Sequence, residues 1–176
     1  MMGSVVGAIQ DAGDPHCPIT SLVVVENCHA HTMSRPITPA YVARLRVALP
    51  SGLPIHIDGA RLFNAAVALG VPVADLVRDA DSATFCLSKG LSAPIGSVVV
   101  GSTDFIWRAK RARKLLGGGL RQAGVLAAAP LQATAIQPGK PTGQQKRDRG
   151  QHQHLVGRLE HVVAAALLPG SVERLV

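Results

Sequence analysis

Short, continuous apolar runs recur along the first two thirds of the chain. They contain four to six residues, and most are bounded by glycine or polar side chains. Runs of this length predict strands rather than helices. The predicted strands are Ser21–Glu26, Pro54–Asp58, Ala83–Ser88 and Ser97–Val100. The first, with the sequence SLVVVE, is typical of a strand that is buried on both faces.

Between these runs, apolar residues recur at every third or fourth position, which predicts helices. Thr38 and Pro39 favour the start of the first helix, and Pro50 stops it. The other predicted helical segments are Ala60–Leu69, a turn at Asp75–Asp79, Asp104–Leu116 and Arg121–Ala129. Strands that alternate with helices at this spacing indicate βαβ units. We therefore predict an α/β fold with a mostly parallel sheet and flanking helices.

The composition changes after Pro130. Gln137–Gln153 is rich in proline, glycine and glutamine and has almost no apolar residues, which is typical of a linker or a disordered segment. Leu155–Leu168 regains a helical apolar repeat. We predict one domain over residues 1–129 and a divergent, partly disordered tail over 130–176, with a linker at 130–154 and a helix at 155–168.

The chain has a formal net charge of +7, and the basic excess lies in one segment. Eleven of its 18 lysines and arginines fall between Arg108 and Arg158, with only Asp148 opposing them. Such a segment suggests nucleic acid or another anion as a partner. The sequence offers only five aromatic residues for base stacking, which counts against nucleic acid.

Several features bear on the cellular compartment. The longest uninterrupted aliphatic run, Val162–Leu168, is far shorter than the roughly 20 residues of a membrane-spanning helix. The N-terminal sequence MMGSVVGAIQDAGD lacks the basic and apolar regions of a signal peptide. Three cysteines without a CxxC spacing fit a reducing compartment. We predict a cytoplasmic protein that does not contact a membrane.

Polar side chains follow the predicted strands at their carboxyl ends, where open α/β sheets bind ligands. Asp58 ends the second strand, and the two-residue period places His56 on the same face. Arg61 is expected one turn into the next helix. Lys89 follows the third strand in the run CLSKGL, an apolar setting that favours a neutral, nucleophilic amine. We expect Asp58, Arg61 and Lys89 to converge on one rim.

A lysine of this kind forms a Schiff base with pyridoxal 5'-phosphate, which also needs a carboxylate against its pyridine nitrogen. Four runs of the chain closely resemble the low-specificity threonine aldolases, in the β-eliminating lyase group of fold-type I pyridoxal phosphate enzymes. These runs are LVVVENCH, PIHIDGARLFNAAVALG, DSATFCLSKGLSAPIGSVVVGS and WRAKRARKLLGGGLRQAGVLAAA. The resemblance extends over residues 14–129. It implies part of a fold-type I large domain that binds this cofactor.

The resemblance also implies roles for single residues. Lys89, in the family's LSKG motif, is the Schiff-base lysine. Asp58, in the HxDGAR motif, holds the pyridine nitrogen, and Arg61 binds the carboxylate side of the substrate or cofactor. His16, in DPHCPIT, stands where the family has a histidine near the substrate hydroxyl, although Cys17 replaces the usual aromatic residue.

Further positions match or depart from the family pattern. Lys114 and Arg121 flank the Gly117–Gly119 run, in a basic segment that in the family reaches the cofactor phosphate across a subunit contact. The predicted helix Asp104–Leu116 carries these basic residues opposite an apolar stripe that includes Leu116. Cys28 replaces the threonine of the family's ENTH motif, and AHTMSRPI replaces a turn rich in asparagine and glycine.

The three remaining histidines of this region have weaker assignments. We interpret His29 and His56 as orienting or packing residues, and His31, which has no family match, as a surface residue.

The function implied is the cleavage of threonine or allo-threonine to glycine and acetaldehyde by a homodimer or homotetramer. Family members are roughly twice as long. We therefore expect the chain to lack the family's N-terminal part, which cradles the phosphate, and its C-terminal domain. Two alternatives remain open. One is a catalytically silent fragment whose basic segment binds anions, and the other is a related lyase that acts on an aromatic amino acid.

Overall fold

The computed structural model describes residues 2–119, 121–124 and 126–128. The predicted tail, with its linker and its helix, lies outside the described residues. So does part of the helix predicted at Arg121–Ala129, of which residues 124 and 126–128 are helical. The described chain divides into two compact units, one that ends at Phe85 and one that begins at Cys86.

From the first strand onward, helices and strands alternate through the first unit as the apolar pattern predicts, whereas its short N-terminal helix was not predicted. Its helices are α1 (Met2–Val6), α2 (Pro39–Ala48) and α3 (Leu62–Leu69). Its strands are β1 (Val23–Glu26), β2 (Ile55–Asp58) and β3 (Ser82–Cys86), the last of which ends at the division. Two short 3-10 helices lie at Ala30–Thr32 and Val73–Leu76. The second unit contains β4 (Ser97–Gly101) and α4 (Thr103–Leu115).

The strands of the first unit form a parallel sheet. β1 pairs with β2 and β2 with β3, both in parallel. Glu26 lies opposite Asp58, and Asp58 lies opposite Thr84, so the three strands end at the same edge. The connections run through α2 and α3, as βαβ units require. The predicted α/β fold is therefore confirmed.

One face of this sheet lies against the core. Ile55 and Ile57 of β2 are fully buried, as are Leu45 of α2 and Leu76 of the second 3-10 helix. The side chains of His56 and Asp58 alternate with the two isoleucines and therefore lie on the opposite face. The period-two pattern of PIHID thus sorts this strand into a core face and a polar face.

β1 is not buried on both faces, contrary to the prediction from its sequence. Val23 is buried, but Val24 is 57% exposed and Glu26 is exposed. The reason is tertiary: Val24 lies in register with His56, on the polar face of the sheet. A continuous apolar sequence could not reveal that this face is open in the described chain.

The start of α2 and the end of α3 lie where their capping residues predict. The Thr38 hydroxyl accepts a hydrogen bond from the Tyr41 amide, which caps α2. Gly70 ends α3 in the left-handed conformation, with φ at 65°. α3 starts two residues later than expected, at Leu62, so Arg61 precedes the helix and is not one turn inside it.

Candidate active site

The polar face of the parallel sheet carries a patch of hydrogen-bonding side chains at the carboxyl ends of its strands. The strand register places His56 beside Ser82, and Asp58 between Glu26 and Thr84. Parallel register partners point to the same side of a sheet. The location is the one at which open α/β sheets bind ligands.

His56 is the centre of a hydrogen-bonded group within this patch. Its Nδ1 lies 2.8 Å from the Ser82 hydroxyl, and its Nε2 lies 3.4 Å from the Thr84 hydroxyl. The Thr84 hydroxyl is in turn 3.5 Å from Oδ1 of Asp58. Burial lowers the pKa of His56 below its ordinary value, and the nearby Asp58 carboxylate only partly offsets this effect. The imidazole is therefore neutral at physiological pH.

Ser82 and Thr84 were not among the predicted site residues. They stand two positions apart on β3, and Ala83 and Phe85, which alternate with them, are buried. The same two-residue period that relates His56 to Asp58 could have indicated them. What the sequence lacked was the pairing of β3 with β2.

Gly59 makes the tight turn that directs the chain from β2 into α3. Its amide donates a hydrogen bond of 2.8 Å to the Thr84 carbonyl. A Cβ at this position would lie 2.9 Å from that carbonyl oxygen and 3.0 Å from Cβ of Leu62. The turn holds Asp58 and Arg61 at the same edge of the sheet, and both side chains are exposed there.

Cys28 follows β1 and is buried near Arg61. Burial raises the pKa of the Cys28 thiol, and the positive charge of Arg61 only partly offsets the rise. The thiol is therefore protonated at neutral pH and is a poor nucleophile. The residue packs as a small apolar side chain where the family motif has threonine.

The loop after β1 is fixed by Asn27, which is buried. Its side chain donates to the Ile37 carbonyl at 3.1 Å and accepts from the Ile37 amide at 3.0 Å. Within the loop, Met33 and Ser34 have positive φ angles of 55° and 52°. These residues lie in the segment AHTMSRPI, where the resembled family has a glycine-rich turn.

Two histidines of this loop lie close together. Nε2 of His29 is 3.4 Å from the Glu26 carboxylate, and its ring centroid is 5.6 Å from that of His31. His31 is exposed, as predicted. Among the described residues, no three histidine, cysteine or acidic side chains are grouped so that they could hold a metal ion.

His16 is exposed and lies in a turn closed by Asp14. The Asp14 carboxylate accepts a hydrogen bond of 2.8 Å from the His16 amide, and the Cys17 thiol lies 3.7 Å from its second oxygen. This Asx turn fixes the backbone at His16 and leaves the imidazole available.

Lys89 lies in the second unit, at the tip of a compact loop that follows β3. The Leu87 amide donates to the Gly96 carbonyl at 2.9 Å, and the Ala93 amide donates to the Leu87 carbonyl at 3.0 Å. Leu87 and Leu91 are buried, whereas Lys89 is exposed. The apolar setting predicted for Lys89 is therefore wrong, because the loop buries its leucines and leaves the amine outside.

The basic segment also lies in the second unit. Lys114, in the last turn of α4, and Arg121 are both exposed. The residues of the expected apolar stripe are at most half-buried. Leu116 is 89% exposed and follows the helix rather than belonging to it. The convergence of Lys89 with Asp58 and Arg61 stays a prediction.

The side chains fit pyridoxal phosphate by their chemistry. An exposed carboxylate ends a strand, an arginine follows it by three residues, and an exposed lysine lies on a hydrogen-bonded loop. A carboxylate binds a protonated pyridine nitrogen, and a primary amine reacts with an aldehyde.

In the part of the chain that the structure describes, no helix is long and apolar enough to cross a membrane.

Comparisons with known proteins give a consistent result. The model of the family described as "Beta-eliminating lyase" matches residues 2–172. The chain is 52% identical over 134 residues to the Arabidopsis thaliana protein named "Probable low-specificity L-threonine aldolase 2", and the match covers 73% of this chain and 38% of that protein. It is 49% identical over 154 residues to low-specificity L-threonine aldolase 1 of the same plant, and this match covers 86% of this chain and 40% of that protein. The chain thus spans about two fifths of these relatives.

The fold also has a counterpart among solved structures. The crystal structure of a "putative L-allo-threonine aldolase" from Listeria monocytogenes superposes with a TM-score of 0.50 at 24% identity. The match covers 58% of this chain and 29% of the other. At this identity the likeness concerns the fold alone.

Proposed function

The chain belongs to the β-eliminating lyase family, and from this premise we propose that it is part of a pyridoxal phosphate-dependent carbon–carbon lyase. Its substrates are threonine and allo-threonine, and its products are glycine and acetaldehyde. The observation that carries the proposal is the pair of motifs HIDGAR and LSKG, which put a carboxylate at the end of β2 and an amine on the loop after β3. The names of the Arabidopsis relatives support it.

When bound, pyridoxal phosphate supplies an electron sink for the charge left on the amino acid when its Cα–Cβ bond breaks. Lys89 would hold the cofactor through its side-chain amine. The Asp58 carboxylate accepts a hydrogen bond from the pyridine nitrogen and keeps that nitrogen protonated.

The other residues orient the substrate and the phosphate. The exposed guanidinium of Arg61 binds a carboxylate through paired hydrogen bonds. The imidazole of His16 holds the proton of the substrate β-hydroxyl, and the Asx turn with Asp14 fixes its backbone. Lys114 and Arg121 supply positive charge for the cofactor phosphate. We further propose a cytoplasmic homodimer or homotetramer, supported for the compartment by three free cysteines.

Borohydride reduction tests the assignment of Lys89. The chain is incubated with pyridoxal phosphate, reduced, digested and analysed by mass spectrometry. We expect the cofactor to remain attached to the peptide that contains Lys89. Lys89→Ala should reduce this labelling to background and abolish acetaldehyde release from threonine, measured by coupling to alcohol dehydrogenase. Lys110→Ala, on α4, is the matched control and should be labelled like the wild type.

The other outcomes separate the alternatives. A wild-type chain that retains no cofactor after reduction would contradict the proposal and favour the silent, anion-binding fragment. The wild-type chain could instead retain the cofactor, release pyruvate and ammonia from an aromatic amino acid, and release no acetaldehyde from threonine. This result would favour the related lyase.

A further inference from the structure

The hydrogen bonds around His56 run in one direction. A carboxylate only accepts hydrogen bonds, so the contact between Thr84 and Asp58 requires the proton of the Thr84 hydroxyl. That hydroxyl has one proton, and toward His56 it must therefore act as an acceptor. Nε2 of His56 then carries the imidazole proton.

The other ring nitrogen of His56, Nδ1, shows where this chain of hydrogen bonds begins. A neutral imidazole with its proton on Nε2 has an acceptor at Nδ1. The Ser82 hydroxyl, 2.8 Å away, donates to it. The series is therefore Ser82 to His56, His56 to Thr84, and Thr84 to Asp58, with each donor used once.

We propose that His56 is a positioning residue, which orients the Thr84 hydroxyl so that its proton is directed at Asp58 and holds that carboxylate in place for the pyridine nitrogen. The inference rests on the proposed function for the part played by the cofactor. The hydrogen-bond series itself needs only the residues of the first unit. We name it the Ser82–Asp58 series.

Burial and distance support a positioning role. Ser82 is buried and His56 is half-buried, whereas Asp58, at the end of the series, is exposed at the sheet edge. Buried polar groups are costly unless they are satisfied, and the series satisfies both nitrogens of His56. The contacts of 3.4 and 3.5 Å near Asp58 are long, as hydrogen bonds at a site often are before a ligand binds.

Nitrogen NMR of the chain without cofactor tests the direction of the series. The His56 signals are assigned by their absence in His56→Gln. We expect the proton on Nε2 and an accepting Nδ1 at neutral pH. A proton on Nδ1 would reverse the series and overturn the proposal, whatever the chain does with pyridoxal phosphate.

Cofactor binding tests the role of the series. Thr84→Val preserves the shape of the side chain and removes the proton donor, and Thr84→Ser keeps the hydroxyl. We expect Thr84→Val to weaken binding of pyridoxal phosphate about 3- to 10-fold, the range for losing one hydrogen bond. Binding of the 1-deaza analogue, in which carbon replaces the ring nitrogen, should not change. Thr84→Ser should bind both as the wild type does.

The outcomes distinguish the two proposals. Equal weakening of both ligands in Thr84→Val would overturn the positioning role, because the loss would not depend on the ring nitrogen. If the wild-type chain bound the analogue as tightly as pyridoxal phosphate, the cofactor role of Asp58 and that of His56 would both be overturned. Retention of the cofactor on Lys89 with no effect of Thr84→Val would contradict this inference alone.

Discussion

Two neighbouring residues in the loop after β1 have a conformation that their side chains disfavour. Met33 and Ser34 have φ angles of 55° and 52°, a region in which the Cβ atom crowds the following carbonyl group. Glycine tolerates this region without cost. Asn27 nevertheless fixes the end of the loop at Ile37 through two hydrogen bonds. The strain is therefore local, and glycine should relieve it.

Ser34→Gly should stabilise the chain by about 1 kcal/mol, because the cost of a left-handed non-glycine residue exceeds the entropy that glycine loses on folding. The measurement is the free energy of unfolding in urea. Ser51→Gly is the matched control: Ser51 is exposed and is absent from the residues with positive φ, so its replacement should be neutral or destabilising. If both substitutions lowered stability equally, strain at Ser34 would be refuted.

The turn between β2 and α3 depends on the absence of a side chain at Gly59. Its amide bonds to the carbonyl of Thr84, which draws the turn against β3. α3 begins three residues later, at Leu62, and an edge-to-face contact between Phe63 and Phe85, with ring centroids 5.4 Å apart, joins the helix to β3. A side chain at position 59 would separate these elements.

Gly59→Ala should destabilise the chain by about 1–3 kcal/mol, because its Cβ would meet backbone and side-chain atoms that must shift. The midpoint of thermal unfolding is the measurement. Gly3→Ala offers a control, since a Cβ there would have no neighbour within 4 Å. It should be neutral or slightly stabilising. A Gly59→Ala variant as stable as the wild type would show that the turn can open without cost.

Arg46 joins distant parts of the first unit. From α2 it donates to the Leu53 carbonyl at 2.9 Å and to the Asp79 carbonyl at 3.2 Å, and it pairs with the Asp81 carboxylate. Asp81 also accepts a hydrogen bond of 2.7 Å from the Ile55 amide. Burial raises the pKa of Asp81, but the hydrogen bonds from Ile55 and Arg46 outweigh it and bring the pKa below 3.8.

Stability of the chain should therefore fall in two steps as the pH decreases. The pKa of His56 in the folded chain lies below 6.5. As the pH falls, the imidazole is therefore protonated in the unfolded state before it is protonated in the folded state, and the free energy of unfolding declines below about pH 6.5. The pKa of folded Asp81 lies below 3.8, so its contribution is present above that pH and is lost as the pH falls through the folded pKa.

Urea unfolding between about pH 8 and pH 3 measures both steps. His56→Gln should remove the first step, and Asp81→Asn should reduce the second. The Asp58 carboxylate faces His56 and raises its pKa, so it makes the His56 step smaller than burial alone would. A midpoint that did not change between about pH 7 and pH 5 would contradict the first step.

The order and limits of most elements could be predicted because the forces that set them are local. Thr38 and Gly70 act on helix ends within one turn of themselves, and the period of PIHID is contained in one strand. The β-eliminating lyase family was likewise evident from motifs such as HIDGAR and LSKG, which are contiguous in sequence. Neither inference needs to know which strand neighbours which.

Tertiary structure decided what depends on register and burial. The sequence by itself determined that His56 and Asp58 share a face, but only the pairing of β2 with β3 brought Ser82 and Thr84 to them. The sequence also placed a lysine after β3, but only the folded loop determined that Leu87 and Leu91 are buried and Lys89 is exposed. Side-chain periodicity is a property of one segment, whereas exposure and hydrogen-bond partners depend on residues that the chain brings from elsewhere.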